Sequence, residues 1–250
     1  MVVPDDPASG PTAAAATANA RVQALYRLYL KCSDGLGGNV DGADGSLSPA
    51  SLTRALGLLG VDKDTVAVDL GAGAGRPVFA AALLGAREAV GIELPVNLGQ
   101  EIIFKAVRSR LAELPGALTG LAERCKLEMA DIDGLAELPP GASVAFSFWV
   151  GMHPATRRRI LSLAARCPTL RALAVFKTND FGTIDTVLDA LNVDERDGSL
   201  LWECSETLRT TMMGSGERHT MWAFTRRGRA VTNRVWPGGE DAGSGSEVVI

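Results

Sequence analysis

The 250-residue sequence predicts an α/β fold: a doubly wound, mostly parallel seven-stranded sheet ending in a C-terminal antiparallel hairpin. Three observations predict it. Apolar strand-like runs alternate with helix-like segments from Ser48 to Lys177, the order that builds βαβ units. The run Val66-Ala67-Val68-Asp69-Leu70-Gly71-Ala72-Gly73-Ala74-Gly75-Arg76 reads as strand, acid, glycine-rich turn and helix start, and Val90-Gly91-Ile92-Glu93-Leu94 reads as a second strand ending in an acid. Two β-rich runs, Leu200–Thr207 and His219–Thr225, flank Gly214-Ser215-Gly216 as a hairpin would.

The elements follow in order. Residues 1–18 are rich in Pro, Ala and Thr, a composition expected of a disordered tail. Arg21 to Cys32 places Val22, Leu25, Tyr26, Tyr29 and Leu30 at helical spacing. Ser33 to Gly45 holds five glycines and three aspartates and is a loop; its Asp-Gly-Ala-Asp-Gly lacks the EF-hand spacing and the distal Glu, so no metal site is expected. Ser48-Pro49 is a helix start, with Leu52, Leu56 and Leu59 as the buried stripe. Thr65–Leu70 is the first strand, apolar apart from Asp69, as a strand covered on both faces should be.

Pro77–Leu84 is the next helix and Ala89–Leu94 the second strand. Asn97–Leu114 is an amphipathic helix, with Ile102, Ile103, Ala106, Val107, Arg110 and Leu111 at three-to-four spacing. Lys126–Met129 is a third strand, Ser143–Val150 a fourth, Pro154–Cys167 a helix and Ala172–Lys177 the fifth strand. The hairpin completes the sheet. Residues 237–250, rich in Gly, Ser and acid, read as a second disordered tail. The expected organisation is one domain over 19–236 between two tails.

Composition narrows the partners. Hydrophobic residues make up 46%, ample for a core. The net charge of −4 provides no global attraction to nucleic acid or to an anionic membrane. Nucleic acid would have to use local patches, Arg157-Arg158-Arg159 or Arg226-Arg227-Gly228-Arg229. The first triplet is expected to be a solvated helix face. Cys32, Cys125, Cys167 and Cys204 form no C-x-x-C pair, so neither zinc nor a disulfide framework is expected. That usage fits a reducing compartment, nucleus or cytoplasm. No apolar run is long enough to span a membrane, and the first residues carry no signal-like leader.

The glycine turn and the two acids carry the chemistry. Gly71, Gly73 and Gly75 form G-x-G-x-G, whereas the dinucleotide fingerprint G-x-G-x-x-G needs its third glycine where Arg76 stands. A carboxylate two residues before the first glycine suits a cofactor with a cationic or amine-bearing head, not a diphosphate. Both points argue against NAD or FAD. Glu93 stands 22 residues after Gly71, the distance at which a strand-end acid bonds ribose hydroxyls.

This combination resembles the class I, Rossmann-like S-adenosylmethionine-dependent methyltransferases. In more detail, Gly45-Ser46-Leu47-Ser48-Pro49, Val68-Asp69-Leu70-Gly71-Ala72-Gly73, Val90-Gly91-Ile92-Glu93 and the Phe148 strand end resemble the non-SET histone-lysine methyltransferases of the disruptor-of-telomeric-silencing type. The likeness covers Gly45 to Phe148. Asp44, Ser46 and Phe146-Ser147 stand where that family has Tyr, Glu and Asn-Asn.

The resemblance implies an S-adenosyl-L-methionine pocket. Asp69, Gly71, Ala72, Gly73 and Gly75 would hold the methionine end, Glu93 the ribose, and Asp131 with Ile132 the adenine. It also implies a methyl acceptor beside the fourth strand, with protein lysine, histone or other, as the expected substrate. The expected acceptor-side residues are Phe148, Trp149 and Ser147; an aromatic wall suits an alkylammonium acceptor. A small-molecule or other protein acceptor, or a catalytically silent cofactor-binding module, are the alternatives. His153 is expected to be a loop residue before a helix rather than a base, and His219 to be structural. With two histidines and no Ser/His/Asp arrangement, a triad hydrolase is a poor fit.

Overall fold

A computed structural model describes residues 13–33, 46–113, 120–192 and 201–228. The elements are α1 Ala13–Ser33, α2 Pro49–Leu58, β1 Val66–Leu70, α3 Arg76–Leu83, β2 Glu88–Glu93, α4 Leu98–Ala112, α5 Leu121–Arg124, β3 Cys125–Met129, β4 Val144–Phe146, α6 Pro154–Arg166, β5 Ala172–Phe176, α7 Ile184–Leu191, β6 Trp202–Thr211 and β7 Arg218–Arg226. A 3-10 turn occupies Ile132–Gly134.

The seven strands form one sheet in the order β3-β2-β1-β4-β5-β7-β6. β1 to β5 run parallel, β7 is antiparallel to β5, and β6 is antiparallel to β7. The doubly wound, mostly parallel sheet with a terminal hairpin is the architecture expected from the sequence. β1 and β5 are buried at every position because helices cover both faces. β3, at the edge, alternates: Lys126 and Glu128 are exposed while Cys125 is buried. Strand order reverses between β1 and β4, and an open α/β sheet leaves a crevice outside the strand ends at such a switch point.

Several boundaries move for physical reasons. α1 starts at Ala13, so residues 13–18 are helical where composition predicts tail. The alanine run has the highest intrinsic helix propensity, and Ala18 is buried. Residues 1–12 and 237–250 of the expected tails, and the glycine-rich loop at 34–45, lie outside the described residues. In α1 the buried stripe is Val22, Leu25, Tyr26 and Tyr29 as predicted, but Leu28 replaces the exposed Leu30. In α4 Phe104 joins the buried stripe with Ile103, Val107 and Leu111, whereas Ile102 is exposed.

The fourth strand ends at Phe146, four residues short of the predicted Val150. Ser147 still donates its N–H to Ala174 O at 3.0 Å. Beyond it, side-chain packing draws the chain out of the ladder: Phe148 packs edge-on against Phe176 with centroids 4.6 Å apart, and Trp149 lies tilted against Phe181 at 5.1 Å. Gly151, at φ +81°, then turns the chain into α6. α7 was not foreseen, although Thr183 caps it by accepting from Thr186 N. Among the described residues no helix is long and apolar enough to cross a membrane.

Candidate active site at the sheet's switch point

The carboxyl ends of β1, β2 and β4 open on a cleft of about 640 Å³, within the size range of small-molecule sites. Both key carboxylates line it. Asp69 sits one residue before the end of β1, beside Gly91 of β2 and Phe146 of β4. It is buried, and neither carboxylate oxygen has a hydrogen-bond partner. Burial first, and the nearby Glu93 second, push its carboxyl well above the usual carboxylate range. A buried, cleft-lining acid without a partner awaits a donor from a ligand.

The glycine turn folds tightly over β2. Gly71 N–H and Ala72 N–H both donate to Ile92 O, at 2.9 and 3.0 Å. Gly73 N–H donates to Glu93 Oε2 at 2.6 Å, and Gly75 N–H to Ala72 O at 2.8 Å. Four amides of the turn are therefore engaged within the protein. A diphosphate is held by free N–H groups at such a turn, so this geometry weighs against a dinucleotide. Gly71 requires its positive φ of +84°, and a Cβ there would meet the methyl of Met152 at 2.7 Å.

Glu93 is buried at the end of β2 and accepts three bonds. Besides Gly73 N–H, its Oε1 takes Leu94 N–H at 3.0 Å and Asn97 Nδ2 at 2.5 Å. These bonds fix the carboxylate at the cleft wall. Asp131 and Ile132 line the far end. Asp131 Oδ1 accepts from Asp133 N–H at 3.0 Å, so this side chain also caps the 3-10 turn, and Ile132 presents a buried apolar face.

A short strap, Ser46-Leu47-Ser48, closes the cleft from above. Leu47 bridges to Met212 at the end of β6; Ser48 N–H donates to Thr211 O at 2.8 Å and Met213 N–H to Ser46 O at 2.9 Å. Tyr26 Oη donates to Leu47 O at 2.6 Å, and Arg76 Nη1 to Ser46 Oγ at 2.6 Å. Arg76 lies over the rings of Tyr29 and Tyr26, at 4.8 and 5.7 Å.

The other half of the cleft is built by the segment after β4 and by the hairpin. Phe146, Phe148, Val150, Met152, His153, Thr156, Met212, Glu217 and His219 contribute. Of the predicted acceptor-side residues, the cleft receives Phe148 alone. Ser147 is buried with its hydroxyl donating to Leu70 O at 2.7 Å, and Trp149 is buried against Phe181; neither lines the cleft. Among the predicted cofactor residues, Asp69, Gly71, Ala72, Gly73, Glu93, Asp131 and Ile132 come together, but Gly75 does not. Its position, at φ +82°, faces the Phe104 ring, which a Cβ would meet at 2.5 Å.

Both histidines of the chain reach the cleft. His153 is the N-cap of α6, accepting Ala155 N–H on Nδ1 at 3.3 Å. His219, expected to be structural, stands edge-on to Phe148 with centroids 5.6 Å apart. Arg76, Asn97 and Glu217 were also missed. Arg76 carried a signal, its place at the first turn of the helix after the glycines; Glu217 and His219 carried none, since the hairpin brings them in from the far end of the chain. The basic patches are tied down. Arg157 pairs with Asp180 and Arg159 donates to Leu135 O, leaving Arg158 on the surface. Arg226 lies over Trp202 at 4.9 Å and donates to Ala165 O and Cys167 O. Arg229 lies outside the described residues.

The fold finds counterparts among solved structures. A candidate RNA methyltransferase from Pyrococcus horikoshii superposes with a TM-score of 0.51 at 16% identity, covering 82% of this chain and 98% of that one. TrmN from Thermus thermophilus gives 0.54 at 14% identity, covering 79% of this chain and 52% of that one. A Thermoplasma acidophilum protein gives 0.52 at 8% identity, covering 88% and 100%. The fold is that of the class I methyltransferases. At these identities the likeness is one of fold. The chain matches no family model and no curated protein.

Proposed function

We propose that this chain is an S-adenosyl-L-methionine-dependent methyltransferase that N-methylates the lysine side chain of a protein. The observation that carries the reading is Asp69: a buried carboxylate with two unpartnered oxygens, in the same cleft as Glu93. The ammonium of the cofactor's methionine end would supply the donors Asp69 lacks. Glu93, with one acceptor position left after three protein bonds, suits a ribose hydroxyl. Ile132 offers an apolar face for adenine, with Asp131 at the ring's edge.

The bound cofactor would supply an activated methyl group on a sulfonium. What the chain contributes is positioning and exclusion of water. The acceptor half supports an amine. Glu217 is its acid, and Arg76 is the one Lys or Arg among the described lining residues of the whole cleft. Phe148 offers a ring face to an alkylammonium group. The finer assignment, to the disruptor-of-telomeric-silencing type, rests on the sequence likeness from Gly45 to Phe148.

RNA is a second reading, favoured by the candidate RNA methyltransferase that shares the fold. The scarcity of basic side chains in the cleft, where Arg76 is the one Lys or Arg among the described lining residues, counts against it, because phosphate recognition relies on Lys and Arg. Two measurements test the proposal. Calorimetry should find S-adenosylhomocysteine bound by wild type and bound at least tenfold more weakly by Glu93→Ala; equal affinities would remove Glu93 from the site. Incubation of a lysate with methyl-labelled cofactor should leave methyllysine in the protein fraction. Label confined to RNA or to small molecules would overturn the lysine assignment, and binding without transfer to any fraction would mark a silent module.

A further inference from the structure

The methyltransferase reading leaves one chemical need unmet. A lysine-type acceptor is an ammonium at neutral pH, and its lone pair is locked in an N–H bond until a base removes the proton. The carboxylates around the cofactor half already have assignments. On the acceptor half, two groups of the hairpin remain, His219 and Glu217.

We propose that His219 is the general base for the methyl acceptor and that Glu217 is the positioning residue that orients its ring. His219 stands half-buried on β7, two residues before its buried stretch begins at Met221, and its side chain is 15% exposed. Its backbone is fixed from the β6 side: Thr210 Oγ1 donates to its carbonyl at 3.0 Å, and Thr210 is also its partner in the β6–β7 ladder. The ring stands at 87° to Phe148, the aromatic residue of the acceptor wall, which itself rests on Phe176. A base held edge-on to that wall is beside the space an acceptor would fill. Nε2 lies 3.4 Å from Glu217 Oε1. The negative carboxylate on that side favours the tautomer that carries its hydrogen on Nε2, which leaves Nδ1 as the nitrogen that takes a proton. The Glu217 backbone is held, its carbonyl accepting Met212 N–H at 2.8 Å, while its side chain is 65% exposed. The other ionisable groups on adjoining elements are Arg218 beside it, Arg209 opposite Thr220 in the ladder, Lys177 where β5 meets Thr220, and His153 at the head of α6.

The step balances. An N–H bond of the acceptor ammonium breaks and its proton moves to Nδ1 of His219. The freed nitrogen pair forms the bond to the methyl carbon, and the pair of the broken carbon–sulfur bond stays on sulfur. The imidazolium returns its proton to solvent. One methyl leaves the sulfonium, one proton leaves the acceptor, and nothing is oxidised or reduced.

The test uses the full chain with labelled cofactor and bulk lysate protein as acceptor. His219→Asn should lower the maximal rate of label transfer by roughly a hundredfold or more, with little change in the acceptor concentration at half-rate. Its affinity for S-adenosylhomocysteine by calorimetry should match wild type, which also shows that the cleft has folded. Glu217→Ala should lower the rate about tenfold, and Glu217→Asp should restore part of it. Ring nitrogen shifts by NMR, assigned with His153→Asn, should report the Nε2–H tautomer for His219 in wild type and a mixture in Glu217→Ala. Wild-type transfer rates in His219→Asn would overturn the proposal, as would an Nδ1–H tautomer that Glu217→Ala leaves unchanged. A wild-type chain that binds S-adenosylhomocysteine yet labels nothing would also overturn it. A chain that does not bind S-adenosylhomocysteine at all would sink the methyltransferase reading, a failure the calorimetry tells apart.

Discussion

The two halves of the cleft are made in different ways. Most of the cofactor half is built by the ends of β1 and β2 and the turn between β1 and α3, a stretch from Asp69 to Asn97 in which neighbours in space are near neighbours in sequence; Asp131 and Ile132, after β3, complete it. Its carboxylates and amides are locked in short bonds, with Asp69 as the unpartnered exception. The acceptor half joins the loop after β4 to a hairpin that starts more than fifty residues later, at Trp202. Its residues are aromatic, sulfur-bearing or ionisable, and few hold each other. A rigid, local half suits a ligand that does not change; a composite half is where specificity can vary.

That contrast is sharpest at two adjacent aromatic residues, and their replacement carries the largest expected effect. Trp149 is fully buried against Phe181, while Phe148 is part of the cleft wall. Trp149→Ala should cost about 3–5 kcal/mol of stability, lowering the melting temperature by roughly 10 °C, through the cavity it leaves. Phe148→Ala should cost less stability and lower methyl transfer about tenfold or more, with S-adenosylhomocysteine affinity unchanged. Calorimetric melting and label transfer on both variants decide the matter. If Trp149→Ala spared stability and abolished transfer, the wall would have been assigned to the wrong ring.

This pair also marks how far the sequence was legible. Gly71, Gly73 and the acids at 69 and 93 are local signals that meet at one cleft, and the cap at Ser48 is a local signal that starts α2. Gly75 belonged to the same motif but serves packing against Phe104, a contact that depends on α4 and leaves no mark in the motif itself. Ser147 and Trp149 were placed at the site because the strand was extended to Val150, whereas ring packing ends it at Phe146. Glu217 and His219 were invisible as site residues, since only the antiparallel return of β7 beside β5 carries them to the cleft. Long-range pairing, not residue type, was the missing information.

Asp69→Asn comes next in size and tests the cofactor half. The carboxyl of Asp69 is held above its ordinary range, so the folded chain keeps a proton that the unfolded chain sheds. That contribution to stability is complete below the unfolded value and is lost as pH rises through the raised folded value. Asn carries no charge to bury. The free variant should therefore melt above wild type at alkaline pH, with the gap closing toward acid. Its affinity for S-adenosylhomocysteine should fall by about 1.5–3 kcal/mol, the worth of a bond between charged partners. Wild-type binding should release a proton, visible as a dependence of the calorimetric heat on buffer ionisation that the variant lacks. A variant that bound as wild type does would remove the ammonium from Asp69.

The smallest effect addresses whether the halves communicate. The strap belongs to neither: Tyr26 holds Leu47 from α1, while Leu47 and its neighbours pair with the end of β6. Tyr26→Phe deletes one buried hydrogen bond and should cost about 0.5–1.5 kcal/mol. Amide hydrogen exchange gives the resolution that melting lacks. Ser48 and Met213, whose N–H groups tie the strap to the hairpin, should exchange faster in the variant. Gly73, bonded to Glu93 in the cofactor half, should not. Faster exchange at all three would mean that the strap transmits strain between the halves, so that cofactor binding would tighten the acceptor wall; faster exchange at Ser48 and Met213 alone would leave the acceptor half free to change its substrate without disturbing the cofactor half.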